Sequence, residues 1–348
     1  MKGHFLRIAL LAVPLALYGG SAARGQETVS TVTTVVSTLL DRIELHGYAH
    51  AGYVYQDDGD ETTSSFNLKR ALLWGKANIT DRWFFQFMYD FSSEVQEYYC
   101  DYRFSKGKQL NVRFGQFKCP YSIENPMSPR YLELINVFSQ AVAQLAGGSG
   151  DPIYGKNYGR DLGIMVYGDL FNAKIHYEIA LMNGQGINCS DGNSDKDVLL
   201  KIEWHPVSEL KVVASGRKGR GHAVGTAEWN PDIEVGDNYT RDRLSFGAVW
   251  TDRRWGVRGE WLWGKDGNVK SWGAYMTGKY TATKDFDVIA SVDFFDRNTK
   301  MKYDQTNATA GVQYWFYKNC RIQLQYTRLM PQYEDDYNMV QAQIQVGF

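Results

Sequence analysis

The sequence predicts an all-β chain that forms a sixteen-stranded antiparallel transmembrane β-barrel. Many segments of about ten residues alternate apolar and polar side chains, which is the pattern of a strand with two different faces. The connections between these segments alternate between short and long. The chain also ends on a patterned strand, VQAQIQVGF, whose last residue is Phe348. Chain ends usually fray, whereas the last strand of a closed barrel pairs with the first.

Sixteen segments have strand character. They are 43–56, 65–79, 83–92, 95–105, 109–119, 160–169, 172–183, 195–205, 209–217, 242–251, 254–263, 269–281, 285–297, 307–317, 320–331 and 337–348. In WFFQFMYDF, for example, one face carries Trp83, Phe85 and Phe87 and the other carries Gln86 and Asp90. Such alternation also occurs in β-sandwiches, so the faces alone do not decide the fold.

The lengths of the connections favour a barrel over a sandwich. Every second connection is short: 80–82, 106–108, 170–171, 206–208, 252–253, 282–284 and 318–319. Most of the others are long and polar, namely 57–64, 120–159, 184–194, 218–241 and 298–306, with short exceptions at 93–94 and 264–268. Short turns at one rim and long loops at the other are typical of outer-membrane barrels. A closed sheet also pairs every backbone group, as lipid requires.

The chain divides into three regions. Residues 1–25 have a basic start at Lys2 and Arg7, a short apolar stretch and then small residues, which predicts a secretory signal peptide. Residues 26–42 form a short periplasmic segment, either an amphipathic helix or a flexible tail, and residues 43–348 form the barrel. Export through the inner membrane to the bacterial outer membrane follows from this arrangement.

Composition narrows the class of protein further. The chain of 348 residues is 14% aromatic, with 23 tyrosines and 10 tryptophans, and amphipathic aromatic side chains suit a membrane–water interface. The formal charge of −1 becomes −4 when Lys2, Arg7 and Arg24 are removed with the signal peptide, which gives no reason to expect nucleic acid.

No motif predicts a cofactor or a metal site. The four cysteines show no metal-ligand spacing and are either small apolar residues or disulfide partners: Cys100, Cys119, Cys189 and Cys320.

Two short motifs carry a resemblance to a known family. The run GQFKCPY occupies Gly115–Tyr121, and NGQG at Asn183–Gly186 precedes an aspartate-rich approach to the next strand. In this order and spacing they resemble the phosphate-selective porin O and P family, and the resemblance covers nearly the whole mature chain. It implies a usually trimeric, sixteen-stranded porin whose third external loop folds into the lumen and sets the constriction.

The loop at that position is the longest in the chain, at about 120–159. Helical spacing of Leu132, Ile135, Val137 and Phe138 predicts a short helix that plugs the lumen. A plain surface loop is the alternative, although a structureless loop of this length is uncommon.

The candidate constriction residues lie in or near this loop and on the second strand. They are Lys69, Arg70, Arg113, Lys118, Tyr121, Arg130, Tyr131, Lys156 and Arg160. Phe348 resembles the terminal aromatic signal by which bacterial outer-membrane proteins are recognised for insertion.

An anion filter requires an excess of basic side chains along the passage. The basic and acidic residues on the polar strand faces nearly cancel over the whole wall, so phosphate specificity does not follow from the sequence.

The expected function is passive diffusion of small hydrophilic solutes or ions, with anion or phosphate preference left open and no catalytic residues. Expected partners are outer-membrane lipid, two further copies in a homotrimer, the outer-membrane insertion machinery, and small solutes or anions. A barrel that mounts an enzyme or adhesin, a channel specific for a sugar or oligopeptide, and a secreted soluble β-sandwich are the alternatives.

Overall fold

A computed structural model describes residues 42–348 except 60, 105–107, 148–150 and 302. The predicted signal peptide and residues 26–41 lie outside the described residues, so those two predictions remain predictions. The described part is almost entirely one antiparallel sheet, in which each main strand pairs with the next main strand along the chain and the first pairs with the last. Among the described residues no helix has the length and apolarity needed to cross a membrane.

Seventeen strands make up this sheet. They are β1 Ile43–Asp57, β2 Thr62–Asn78, β3 Trp83–Asp90, β4 Val95–Arg103, β5 Asn111–Lys118, β6 Arg160–Leu170, β7 Ile175–Met182, β8 Asp197–Val207, β9 Leu210–Lys218, β10 Arg220–His222, β11 Asn238–Thr251, β12 Trp255–Asp266, β13 Val269–Thr283, β14 Phe286–Asp296, β15 Asp304–Tyr317, β16 Cys320–Pro331 and β17 Tyr337–Gly347. Because β9 and β10 pair with the same strand, β11, the short β10 continues β9 and the barrel has sixteen strand positions.

The predicted strand number and order are therefore confirmed, with one omission. The sequence analysis placed residues 218–241 in a loop, but β10 lies inside that range and β11 begins earlier, at Asn238. Arg220 pairs with Thr240 and His222 with Asn238. A three-residue strand is too short to show alternation, so its pairing depends on the neighbouring strand.

Closure of the sheet answers why the chain ends on a patterned strand. In the β1–β17 pair, Tyr48 lies opposite Gly347 and Asp57 lies opposite Asn338. The amide of Phe348 donates to the carbonyl of Gly47 at 3.0 Å. A Cβ at Gly47 would lie 2.8 Å from the Phe348 ring, so glycine leaves the room that the terminal aromatic residue occupies.

The two faces of the sheet are reversed relative to a soluble protein. On β16, Arg321, Gln323 and Gln325 are buried, while the side chains of Ile322 and Leu324 are exposed. The same reversal holds on β12, where Glu260 is buried. An exposed apolar face suits lipid and a polar face suits the interior of a barrel, so the aromatic faces do not pack on each other as a β-sandwich would require.

The longest connection, residues 119–159, is called here the long segment. It contains a short helix, α1 Gln140–Val142, followed by a π-helical turn, Ala143–Gly147. The predicted short helix in the stretch 128–146 is present, but at its end. The residues whose spacing predicted it, Leu132–Phe138, do not form it, because Val137 has a φ of 79°, outside the right-handed helical region. In this stretch the backbone amides donate to side chains of the barrel wall instead of to helical carbonyls. The Ile135 amide, for example, donates to the Gln325 side chain at 2.8 Å.

Gly115 in the GQFK run offers a direct test of the fold. Its φ is 133°, and a Cβ there would lie 2.3 Å from the carbonyl oxygen of Tyr98. We expect Gly115→Ala to destabilise the barrel by about 2 kcal/mol or more, through backbone strain and this clash. The temperature at which the folded form is lost in a heat-dependent gel shift measures the effect. Gly75→Ala is the matched control, because a Cβ at Gly75 meets nothing within 4 Å; equal shifts for both variants would contradict the prediction.

Candidate solute passage

A cavity of about 540 Å³ lies between the long segment and the wall formed by β1 to β7. Its charged lining residues are Lys69, Arg70, Lys76, Asp90, Glu97, Arg113, Lys118, Arg130, Arg160 and Glu178. Seven of these are basic and three are acidic, so the lining has a surplus of four positive charges. We call this cavity the basic passage.

Two of the basic residues in this passage are paired with carboxylates. Arg113 makes a bidentate contact with Asp101, with Nε–Oδ1 and Nη2–Oδ2 distances of 2.7 and 2.9 Å. Arg160 donates to Glu97 Oε1 from Nε at 3.1 Å and from Nη2 at 2.8 Å. Bidentate pairing fixes the geometry of a guanidinium group, so these two arginines are held rigidly against the wall.

Other basic groups of the passage have no carboxylate within ion-pair distance among the described residues. Lys118 donates from Nζ to the carbonyls of Asn125 at 2.8 Å and Met127 at 2.6 Å, and Lys69 donates to the carbonyl of Ile135 at 3.3 Å. The guanidinium of Arg130 lies 5.4 Å from the Trp74 ring centroid. These side chains therefore carry basic groups that no carboxylate among the described residues neutralises.

The GQFK run builds the point at which the long segment leaves the wall. Gln116 is fully buried; its Nε2 donates to the Gln96 carbonyl at 3.1 Å, and its Oε1 accepts from the Asn188 amide at 2.7 Å. Phe117 is fully buried in the hydrophobic core. Lys118 then binds the carbonyls of the segment, so each residue type in the run has a structural task at this junction.

The NGQG run packs against the far end of the same segment. Gly184 has a φ of 83°, and its amide donates to Asp161 at 2.7 Å. Gly186 has a φ of 90°, and a Cβ there would lie 2.4 Å from the carbonyl oxygen of Lys156. Both glycines are therefore required by backbone conformation or close approach, and both motifs position the long segment.

A buried ion triad holds the middle of the long segment to β12. Arg258 donates from Nε to Glu124 at 3.0 Å and from Nη2 to Glu133 at 2.9 Å. Glu124 also accepts from the Ser139 amide at 3.0 Å. Burial raises the pKa of Glu124, and the Arg258 guanidinium opposes that rise. The triad crosslinks two points of the segment to one arginine.

A second set of contacts fastens the segment through its backbone. Gln323 and Gln325 donate to the carbonyl of Glu133 at 2.9 and 2.6 Å, and Arg321 donates to the carbonyl of Leu132 at 2.8 Å. Glu260 on β12 accepts from the Ile123 amide. These side chains all belong to the buried face of the strands, so the long segment contacts that face on β12 and β16.

Seven of the nine candidate constriction residues line the basic passage and two do not. Tyr131 is half exposed and lines the passage with Lys69, Arg70, Arg113, Lys118, Arg130 and Arg160. Tyr121 is instead buried, and its hydroxyl donates to the Leu244 carbonyl at 3.2 Å. Lys156 is largely exposed and pairs with Glu94 at 3.4 Å.

Several residues of this site are not predicted by the sequence. The pairing of Glu124 and Glu133 with Arg258 joins residues far apart in the chain. The glutamines of β16 follow the inward positions of an alternating strand, but their binding of the loop backbone depends on where the long segment lies. Glutamine on successive inward positions was the available signal.

The four cysteines have free thiols. Cys119 follows β5 directly and is buried, and burial raises the pKa of its thiol to about 12. The interpretation as disulfide partners is wrong, because all four cysteines are free.

The comparisons with known proteins agree with this geometry. The family model described as "Phosphate-selective porin O and P" matches residues 43–348. The chain belongs to the phosphate-selective porin O and P family. No curated protein sequence matches this porin significantly.

Solved porin structures share its fold at low sequence identity. The anion-selective porin from Comamonas acidovorans has 14% identity and a TM-score of 0.63, with 88% of this chain and 99% of that chain covered. OmpF of Salmonella typhi in complex with daunomycin has 14% identity and a TM-score of 0.64, with coverages of 87% and 97%. Outer-membrane-expressed OmpT of Vibrio cholerae has 12% identity and a TM-score of 0.63, with coverages of 88% and 97%. Family and fold together support an outer-membrane channel.

Proposed function

We propose that this porin is a passive diffusion channel for small hydrophilic solutes with a preference for anions, and that solutes cross through the basic passage. The observation that carries this proposal is the surplus of four positive charges in the lining of that cavity. Charges along a pore set its selectivity. Under this proposal the chain performs no catalysis and needs no cofactor.

We infer that the long segment is the third external loop folded into the barrel interior, where it narrows the channel. Support comes from its contacts with buried-face side chains of β12 and β16, more than a hundred residues away in sequence. A separate cavity of about 740 Å³ lies near the short turns, and its charged lining residues are Arg82, Arg103 and Lys108 with Asp81 and Asp169. Under this proposal an anion would cross it on the way to the periplasm.

The surroundings of the channel are also part of the proposal. Residues 1–25 direct export, Phe348 is recognised by the outer-membrane insertion machinery, and the exposed apolar face contacts outer-membrane lipid. Three copies assemble as a homotrimer; one of the solved OmpT structures of Vibrio cholerae is described as a trimer form. A barrel used only as a mount for an enzyme or adhesin would not need the basic passage.

Reconstitution in a planar bilayer under a potassium chloride gradient tests the proposed function. We expect channels whose zero-current potential has the sign of anion preference, because five of the seven basic groups have no carboxylate partner among the described residues. Phosphate is then added in steps: block of the chloride current would extend the preference to phosphate. The absence of channels, or a cation-selective potential, would contradict the proposal.

A further inference from the structure

On the other side of the long segment lies a recess of different chemistry. A cavity of about 190 Å³ between the segment and β14 to β17 is lined mainly by amides and hydroxyls, including Asn136, Gln325 and Thr327. A cavity of about 380 Å³ lies above it among the long loops. Because Gln140 and Gln144 line both cavities, the two form one structure, which we call the amide recess.

The outer part of the amide recess carries aromatic rings. Tyr303 and Tyr333 are 48% and 61% exposed, with ring centroids 5.9 Å apart and an interplanar angle of 36°. Below them Trp229 is buried, with the Arg297 guanidinium 3.9 Å from its ring centroid. A concave site with apolar faces and a few placed polar groups is the usual form of a small-molecule site.

Arg297 is the least satisfied polar group of the recess. Its side chain is 6% exposed, and its closest carboxylate contact is Nη2 to Asp151 at 3.6 Å. Nη1 and Nη2 have no hydrogen-bond partner among the described residues, but both atoms are buried. They are therefore not exposed to a ligand in the recess, and the guanidinium contributes through its packing on Trp229.

The charge of the amide recess is opposite to that of the basic passage. Among the residues that the structure describes, its charged lining residues are Arg297 against Asp293, Asp304 and Glu334, a net charge of −2. An anion that prefers the basic passage would therefore be disfavoured by these groups.

We propose that the amide recess binds a neutral saccharide. The flat faces of pyranose rings stack on Tyr303 and Tyr333, and amides such as Gln144 exchange hydrogen bonds with neighbouring hydroxyl groups. This site goes beyond the proposed diffusion of anions and rests on different residues.

Current interruption in planar bilayers tests this inference on the full chain. Maltotriose, cellotriose and chitotriose are added in turn to each side at millimolar concentrations, with trialanine as the peptide comparison. We expect at least one trisaccharide to interrupt the current from the long-loop side. In Tyr303→Ala/Tyr333→Ala its apparent affinity should fall about tenfold or more, because two stacking surfaces are lost.

Tyr317→Ala is the matched control, because Tyr317 is 62% exposed but lies by the short turns. A heat-dependent gel shift shows that each variant is folded. Channels that no trisaccharide interrupts, or that trialanine alone interrupts, would overturn the inference and leave the diffusion channel intact. Unchanged trisaccharide affinity in the double variant would overturn it too. Absence of channels would instead remove the proposed function.

Discussion

Arg258→Met should raise the mean single-channel conductance and make the open current noisy. The substitution leaves Glu124 and Glu133 facing each other without their shared cation, and both carboxylates are largely buried. Removing one member of a buried ion pair costs about 3–5 kcal/mol, because an uncompensated charge remains. The long segment can avoid that cost by leaving the wall, which widens the passage. Single-channel recording in planar bilayers measures both changes.

A triple variant separates loss of the triad from loss of one partner. Arg258→Met/Glu124→Gln/Glu133→Gln removes all three charges together and keeps an acceptor for the Ser139 amide. Replacing a whole buried ion cluster is often close to neutral, so its conductance should lie near that of the unmodified channel. Equal conductance for the unmodified channel and Arg258→Met would show that the triad does not hold the segment.

Lys69→Gln/Arg70→Gln/Arg130→Gln should remove most of the anion preference. These three cations line the basic passage and have no carboxylate partner among the residues that the structure describes. Each unit charge contributes about 1 kcal/mol to an ion 4 Å away in water and more at lower dielectric. The anion-to-cation permeability ratio should therefore fall about tenfold or more. Zero-current potentials in a potassium chloride gradient measure the ratio.

Lys156→Gln is the matched control for this experiment. Lys156 belongs to the same long segment, but it is largely exposed and pairs with Glu94 outside the passage lining. Its removal should leave the permeability ratio unchanged. A fall as large as that of the triple variant would mean that general surface charge, rather than the lining, sets the preference.

The sum of charges over the whole wall did not predict the basic passage. Acidic side chains on the polar strand faces were counted against the basic ones, and the two sets nearly cancelled. In the structure several of those acids are in ion pairs or hold the long segment: Asp101 pairs with Arg113, and Glu260 accepts from the Ile123 amide. Selectivity depends on the charged side chains that face the solute. A sum of charges along the chain counts those side chains together with the ones that are neutralised in ion pairs.

The sequence by itself determined the number and order of the main strands and the position of the longest connection. It also determined that short turns lie at one rim and long loops at the other, and that the last strand closes the sheet. These follow from period-two alternation and from turn lengths, which are local properties of the chain. Only the tertiary structure decided where the long segment lies, which of its residues are helical and which charges remain unpaired. Arg258 and Glu124 are 134 positions apart, and Val137 takes its conformation in a stretch whose backbone bonds to β16. Such contacts depend on barrel closure, which brings distant side chains together, and no local pattern records them.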